Sequence, residues 1–350
     1  MKTRHARWLA LAVAPAAVVG TAIAIPIAAG AAPNLPEKSA AEVLDLIAES
    51  KGVAFSGTIV QTSELGLPEL PSTSGSSEGL QSSLEFLTGS HEARIFVADE
   101  ERVRVQVLDR MAERDVIRDG SDVWLYDSKA NEATHVTVPD GEATPPAAAT
   151  PRDVTAPFID AIDPSTEIVV DENARVAGRD AYVVRLTPDT EDTLVGSVSL
   201  SVDAETGLPL GVEILAAGRD DPAFSVRFSD IEFGTPDSAL FDFTPPATAT
   251  VTEVTAPEDR PFPVAQDRDH PEPIVIGEGW GAVVELPVDE AYATGAKSDA
   301  DFAERLDQLT SPVEGGRALE TALVSVLVTD DGRILVGAVP TDQLVEAAGR

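Results

Sequence analysis

No cysteine occurs among the 350 residues. That excludes disulfides, thiolate catalysis, zinc–thiolate sites and a lipidated N-terminal cysteine. A chain of this length manages without them, because it can bury a large core. Positive charge is also scarce. The 25 Lys and Arg stand against 60 Asp and Glu, a formal net charge of −35. Such a surface repels nucleic-acid phosphates and anionic headgroups, which excludes DNA or RNA as a partner. The simplest role of the charge is solubility. Aromatic residues make up only 5% while hydrophobic residues make up 43%, so the core must be built mostly of Val, Leu, Ile and Ala. The four histidines are scattered, and no two lie at helical ligand spacing, so neither a metal nor a cofactor is expected.

Long apolar runs are confined to the N-terminus. "MKTRHAR" is basic, and the uncharged stretch after it ends in small residues, with Ala29-Gly30-Ala31 fitting an A-x-A cleavage site. Residues 1–32 therefore read as a signal peptide or as an uncleaved N-terminal anchor. Pro15 and Pro26 favour cleavage. With Lys2, Arg4 and Arg7 held inside, the remainder is expected outside the cytoplasm, in the cell envelope.

A helix is predicted over "PEKSAAEVLDLIAES", with Val43, Leu44 and Ile47 on one stripe, Ala40 at its edge and Gly52 marking its end. Strand patterns follow. Val103, Val105 and Val107 alternate with Arg102, Arg104 and Gln106. Val198, Leu200 and Val202 repeat the pattern, as do Phe224, Val226 and Phe228. Period-two runs of this kind are half-buried antiparallel strands. Hairpins are predicted through Asp119-Gly120 and Thr206-Gly207, and about eight or nine strands between Val53 and Phe233. A second helix is expected at "VTAPFIDAID". The pattern suggests one curled antiparallel sheet covered on one face by helices. A sheet that curls without closing leaves an aliphatic cavity suited to an acyl chain, and a solid packed core is the competing reading. From residue 247 the composition turns to Pro, Thr and acid, a linker or strap. After it come one or two strands around "PIVIGEGWGAVVELP", a helix over "SDADFAERLDQL", a hairpin through Asp331-Gly332 and a final helix capped by Thr341 or Asp342. This small α+β unit is expected to lean on the large one.

Two motifs offer enzyme chemistry. Gly75-Ser76-Ser77-Glu78-Gly79 fits the nucleophile elbow G-x-S-x-G. An elbow needs a strand running into the serine, and Pro68 and Pro71 break any such strand. Ser77 therefore reads as a loop serine. Gly277 to Ala282 fits G-x-G-x-x-A, but strand-like "VVELP" follows where the fingerprint needs a helix. That stretch reads as a tight turn. Adjacent acids such as Asp220-Asp221 and Asp330-Asp331 suit turns. No catalytic residue is assigned, and nothing here argues for an enzyme.

Some segments resemble a known family. Trp280, Leu286-Pro287, Val324-Ser325-Val326 and Val336-Gly337-Ala338-Val339-Pro340, followed by a helix around Leu344 and Ala347, resemble the small domain of the RseB/MucB sigma-factor regulators. Phe55-Ser56-Gly57-Thr58, Val123-Trp124-Leu125-Tyr126, Asp203 to Pro209 and Phe241 to Pro246 are similar to the large domain that RseB shares with the lipoprotein carrier LolA. The chain departs from the pattern at Val288-Asp289, where a glycine and an aromatic are expected, and in a long loop from Glu64 to His91. Its Ala, Asp and Val richness with scarce Lys resembles an actinobacterial chain.

The resemblance implies an α+β fold: an unclosed antiparallel β-barrel covered by helices over 37–246, a linker over 247–272 and a small α+β domain over 273–350. It implies a non-enzymatic sensor that binds an acyl chain, lipid or lipoprotein and modulates a membrane anti-sigma factor. A LolA-like carrier without a signalling role is the alternative. The candidate cavity residues are Val103, Val105, Val107, Val198, Leu200, Val202, Phe224, Val226 and Phe228.

Overall fold

The computed structural model describes residues 33–67, 89–109, 112–138, 155, 166–255, 274–286 and 309–349. The N-terminal segment, the Ser77 motif and the later part of the linker lie outside the described residues. So do the helices expected at "VTAPFIDAID" and "SDADFAERLDQL", except for Thr155 and Leu309.

The first helix, α1, runs Ala40–Glu49. It starts where Ser39 and Glu42 form a capping box: the Glu42 amide donates to the Ser39 hydroxyl, and the Ser39 amide donates to the Glu42 carboxylate at 2.8 Å. Two of the amides left over at a helix start are thereby satisfied. Val43 and Ile47 are buried, one helical turn apart, and Leu44 is half-buried beside them.

Among the described residues, twelve strands follow up to Phe233. They are β1 (Phe55–Ser63), β2 (Gly89–Val97), β3 (Arg102–Asp109), β4 (Ala112–Asp119), β5 (Asp122–Asp127), β6 (Glu132–Thr137), β7 (Thr166–Val170), β8 (Ala174–Val176), β9 (Arg179–Pro188), β10 (Val195–Asp203), β11 (Pro209–Ala216) and β12 (Pro222–Phe233). The expected eight or nine is too few. Short strands such as β8, three residues long, show little periodicity. With β13 (Thr250–Thr255) they form one sheet in the order β13-β6-β5-β4-β3-β2-β1-β12-β11-β10-β9-β7, with β8 also on β9. Every pairing is antiparallel except β13 on β6. The two ends do not meet, so the sheet is unclosed, as expected. β13 falls within the stretch whose composition suggests a linker or strap, and its pairing ties that part to the sheet.

Both hairpins predicted in the large sheet are present. Asp119 and Asp122 pair around Gly120, whose φ is 64°. The β10–β11 turn carries Gly207 at φ 73°, where a Cβ would lie 2.1 Å from the Leu46 carbonyl oxygen of α1. Only glycine supplies both the conformation and the space. The strap from β12 to β13 holds a 3-10 turn at Ser238–Leu240 and lays Phe241 and Phe243 against Phe96, Ile117 and Trp124. Those three residues lie in one cross-strand row on the face opposite the main core. Beneath the strap, Arg104 pairs with buried Asp115 at 2.6 Å and donates to the Leu240 carbonyl at 3.1 Å.

A second sheet is built from β14 (Ile274–Ile276), β15 (Val283–Leu286), β16 (Ser311–Val313), β17 (Gly316–Glu320), β18 (Ser325–Thr329) and β19 (Ile334–Gly337), in the order β14-β15-β19-β18-β17-β16. The turn between β14 and β15 holds Gly277 at φ 86° and a 3-10 turn at Gly279–Gly281, so the glycine motif there is a strand-to-strand turn. Helix α2 (Thr341–Ala348) buries Leu344 and Ala347 against Leu327, Leu335 and Val339. Its expected cap is corrected: Pro340 holds the cap position without a side-chain bond, and Thr341 is the first helical residue. The Glu320 carboxylate of β17 accepts from the Thr341 amide at 2.8 Å and its hydroxyl at 2.7 Å instead.

Candidate functional site

The three alternating runs point to one face of the large sheet. Register carries them together. Val198 lies opposite Leu186 of β9 and Ile214 of β11, and Leu200 lies opposite Val184 and Val212. Val226 lies opposite Val212 and Gln61, and Phe224 opposite Ile214 and Ser63. Phe228 lies opposite Ile59, which faces Ala93, which faces Val107. Val105 reaches β1 through Ile95 and Gly57. Residues opposite each other across a pleated sheet share a face, so all nine candidates do.

Burial matches this register. Val105, Val107, Val198, Leu200, Val202, Val226 and Phe228 belong to one apolar cluster, and half-buried Val103 and Phe224 pack against it. The alternation of these strands thus carries the correct parity, which a one-residue slip would reverse. Ile59, Ile95, Leu186, Val212 and Ile214 share the face but are not among the nine. The run "AYVVRL" alternates through Tyr182, Val184 and Leu186 and could have revealed the β9 contribution.

Other elements reach the same cluster. Val43 and Ile47 enter it from α1, and Trp280 and Leu323 from the second sheet's chain. The Trp280 indole N–H donates to the Thr166 hydroxyl at 2.9 Å. Two backbone bonds add to this contact: the Leu194 amide donates to the Ala338 carbonyl at 2.8 Å, and the Ala322 amide to the Leu65 carbonyl at 2.9 Å. The second sheet's chain therefore contacts the large sheet through both side chains and backbone.

Local devices shape the face. Ser229 is an extra residue where the β1–β12 register shifts, between the Thr58–Asp230 and Ile59–Phe228 pairs. Such a bulge bends the strand and sharpens its twist. Next to it the Phe228 ring lies over Gly57, where an added Cβ would come within 2.9 Å of the ring and 2.6 Å of the Asp230 carbonyl oxygen. Phe55 meets Phe228 edge to face at 5.6 Å. Glycine in the F-S-G-T run thus gives the ring its seat.

The ends of β9 and β10 are locked by charge. The buried Asp203 carboxylate accepts from Arg179 at 2.8 and 3.2 Å and from the Glu205 and Thr206 amides at 3.1 and 2.8 Å. Burial pushes the Asp203 carboxyl up, but the Arg179 guanidinium and the Thr206 bonds hold it below the usual range. Arg179 is held more firmly protonated by Asp203 and Glu205 and lies over the Phe233 ring at 4.8 Å. This network fixes the strands that carry Val198, Leu200 and Val202.

Two arginines of β4 take inner-face positions. Arg114 lies half-buried opposite Val107. Arg118 is buried in the row between Val103 and Val123, and its Nε donates to the Gly120 carbonyl at 2.9 Å. Within the run "VIRDG" its sequence looks like that of any turn-flanking arginine, so its inward placement was not legible. Among the described residues, no group of His, Asp and Glu side chains is placed to hold a metal ion, and no helix is long and apolar enough to cross a membrane. The chemistry this face offers is non-directional apolar contact.

Residues 84–250 match the family described as the MucB/RseB N-terminal domain. The resemblance to that family is borne out there, and the matched span contains all nine candidates. No curated protein matches the chain. Among solved structures, the chain is similar to the Pseudomonas aeruginosa MucA/MucB complex structure, at 19% identity and a TM-score of 0.44, over 87% of this chain and 95% of that one. It is also similar to a LolA superfamily protein from Nitrosomonas europaea, at 11% identity and a TM-score of 0.24, over 59% of this chain and 99% of that one. A conserved protein from Thermus thermophilus is similar at 12% identity and a TM-score of 0.35, over 61% of this chain and 98% of that one.

Proposed function

We propose, from the MucB/RseB match over residues 84–250, that this chain is a non-enzymatic regulator of a membrane anti-sigma factor. The observation that carries the reading is that match, joined to an apolar face on which all nine aliphatic and aromatic candidates converge. In this reading the large sheet takes an acyl chain, as part of a lipid or lipoprotein. The second sheet, from residue 273 onward, helps to engage the anti-sigma factor's extracytoplasmic part. Residues 1–32 deliver the chain to the cell envelope.

Ligand and partner are coupled by differential binding. A ligand moves the equilibrium only as far as it prefers one state over the other. Trp280 and Leu323 supply a physical link, because they sit in the same cluster as the candidate ligand face.

The test uses the full chain. Recovered from envelope in mild detergent, it is expected to bring down one membrane protein, and deletion of residues 273–350 is expected to abolish that. A fluorescent fatty-acid probe is expected to bind and to weaken about tenfold in Val103→Asp or Phe224→Ser, the loss of a modest apolar contact. Those half-buried positions tolerate change better than Leu200 or Val226. Probe binding with no membrane partner would favour a LolA-like carrier without a signalling role. Absence of both probe binding and co-purified lipid would overturn the ligand reading.

A further inference from the structure

His135 of β6 lies between carboxylates from two neighbouring strands. Its Nδ1 is 2.7 Å from Glu253 Oε2 on β13, and its Nε2 is 2.8 Å from Asp122 Oδ1 on β5. The ring stacks on Trp124 with centroids 4.3 Å apart and planes 12° apart, and Trp124 meets Phe243 of the strap at 5.5 Å. An ionised carboxylate can only accept a hydrogen bond. A neutral imidazole has one N–H and can donate to one of the two; the imidazolium donates to both. We propose that His135 is a pH-operated latch: protonated, it fastens β13 and the strap to the sheet, and on losing its proton it loosens them.

The position of β13 makes the latch matter. Among the described residues it is the end strand of the large sheet, paired only with β6, and its Val251 and Thr252 are exposed. Parallel pairing is slightly less stable per residue than antiparallel pairing, so side-chain contacts such as the His135–Glu253 bond add to the hold on this edge strand. The strap enters β13 from one side, and the chain leaves it toward the second sheet.

The surroundings are consistent with a cation at this position. From β13 the charged group facing the ring is Glu253, and from β5 it is Asp122. Asp119 of β4 lies opposite Asp122, and Arg102 of β3 opposite Asp119, one row further along the same face. Asp127 and Glu132 face each other at the far end of the β5–β6 pair. From the strap the Phe243 ring packs on Trp124, and Asp242 beside it is exposed. Partial burial works against the His135 proton, but the bonds to Asp122 and Glu253 outweigh it and raise the imidazole above its ordinary range. A histidine raised on folding lends stability that is full below its unfolded pKa and is lost as pH rises through its folded pKa. The latch therefore holds in acid and slackens toward alkaline pH.

Backbone hydrogen exchange of the full chain, corrected for intrinsic rates, tests this between about pH 5 and about pH 9. Protection at residues 250–255 is expected to fall about two- to fivefold as His135 deprotonates, the scale of a part-exposed ion pair. Amides of β10 and β11 are expected to hold constant. His135→Gln is expected to remove the step. Glu253→Gln, at an exposed position where folding is not at risk, is expected to move the step to lower pH. No step in the parent chain, or a step unchanged in both variants, would overturn the proposal.

Discussion

Truncating Asp203 to alanine tests how the strands under the apolar face are held. The side chain is fully buried and accepts five hydrogen bonds, from Nε and Nη2 of Arg179, the amides of Glu205 and Thr206, and the Thr206 hydroxyl. Removing it strands two turn amides and leaves Arg179 with Glu205 alone. Breaking a buried ion pair costs about 3–5 kcal/mol. Arg179 is 29% exposed, so water recovers part of its loss, and the lower end, about 3 kcal/mol, is expected. Asparagine keeps an acceptor for the turn and gives up the charge, so Asp203→Asn is expected to cost about 1.5–2 kcal/mol. Equilibrium urea unfolding resolves both against a total of about 5–15 kcal/mol. The pH dependence adds a second check. A carboxyl held below its ordinary range lends stability that is present above its unfolded pKa, about 3.9, and is lost as pH falls through the lower folded value. The gap between parent and Asp203→Asn is therefore expected to narrow on acidification below about pH 4. A loss under about 1 kcal/mol for alanine, or a gap that stays constant into strong acid, would refute the assignment.

Gly57→Ala places a methyl against the Phe228 ring and the Asp230 carbonyl, and thermal unfolding is expected to show a loss of about 1–3 kcal/mol. Gly207→Ala combines a left-handed φ with a clash on the Leu46 carbonyl and is expected to cost more than Gly57→Ala in the same assay. Trp280→Ala opens a hole in the main cluster and removes the bond to Thr166, with an expected loss of about 3–5 kcal/mol. Limited proteolysis of Trp280→Ala is expected to cut between the two sheets earlier than in the parent; unchanged cleavage would argue against the Trp280 contact as a tether.

The parts legible in the sequence were those where one physical signal dominated. Clean alternation in "RVRVQV", "VSLSV" and "FSVRF" gave the inner face with correct parity, because one side of each strand is dry. Asp-Gly and Thr-Gly marked three hairpins, at Gly120, Gly207 and Gly332, through backbone strain that glycine relieves. Strand β4 was harder, since Arg114 and Arg118 take inner-face positions beside Val116 and blur the period. The strand β13 lay hidden in a Thr- and Pro-rich stretch whose pairing with β6 depends on a partner far away in sequence. Long-range partners also explain the missed cap of α2, where Glu320 from another strand does what a local Thr or Asp was expected to do.

The strand order carries a consequence for synthesis. β1 is made early, yet one of its two neighbours is β12, and Phe55 waits for Phe233 to pair with it. β6 waits in the same way for Thr250–Thr255. Contacts this distant in sequence slow folding, because a long loop must close before they form. For much of its time on the ribosome the chain therefore exposes two raw strand edges, each able to capture a stray strand. A chain so ordered gains from being kept unfolded until it is complete, and whatever escorts it must shield β1 and β6 in particular.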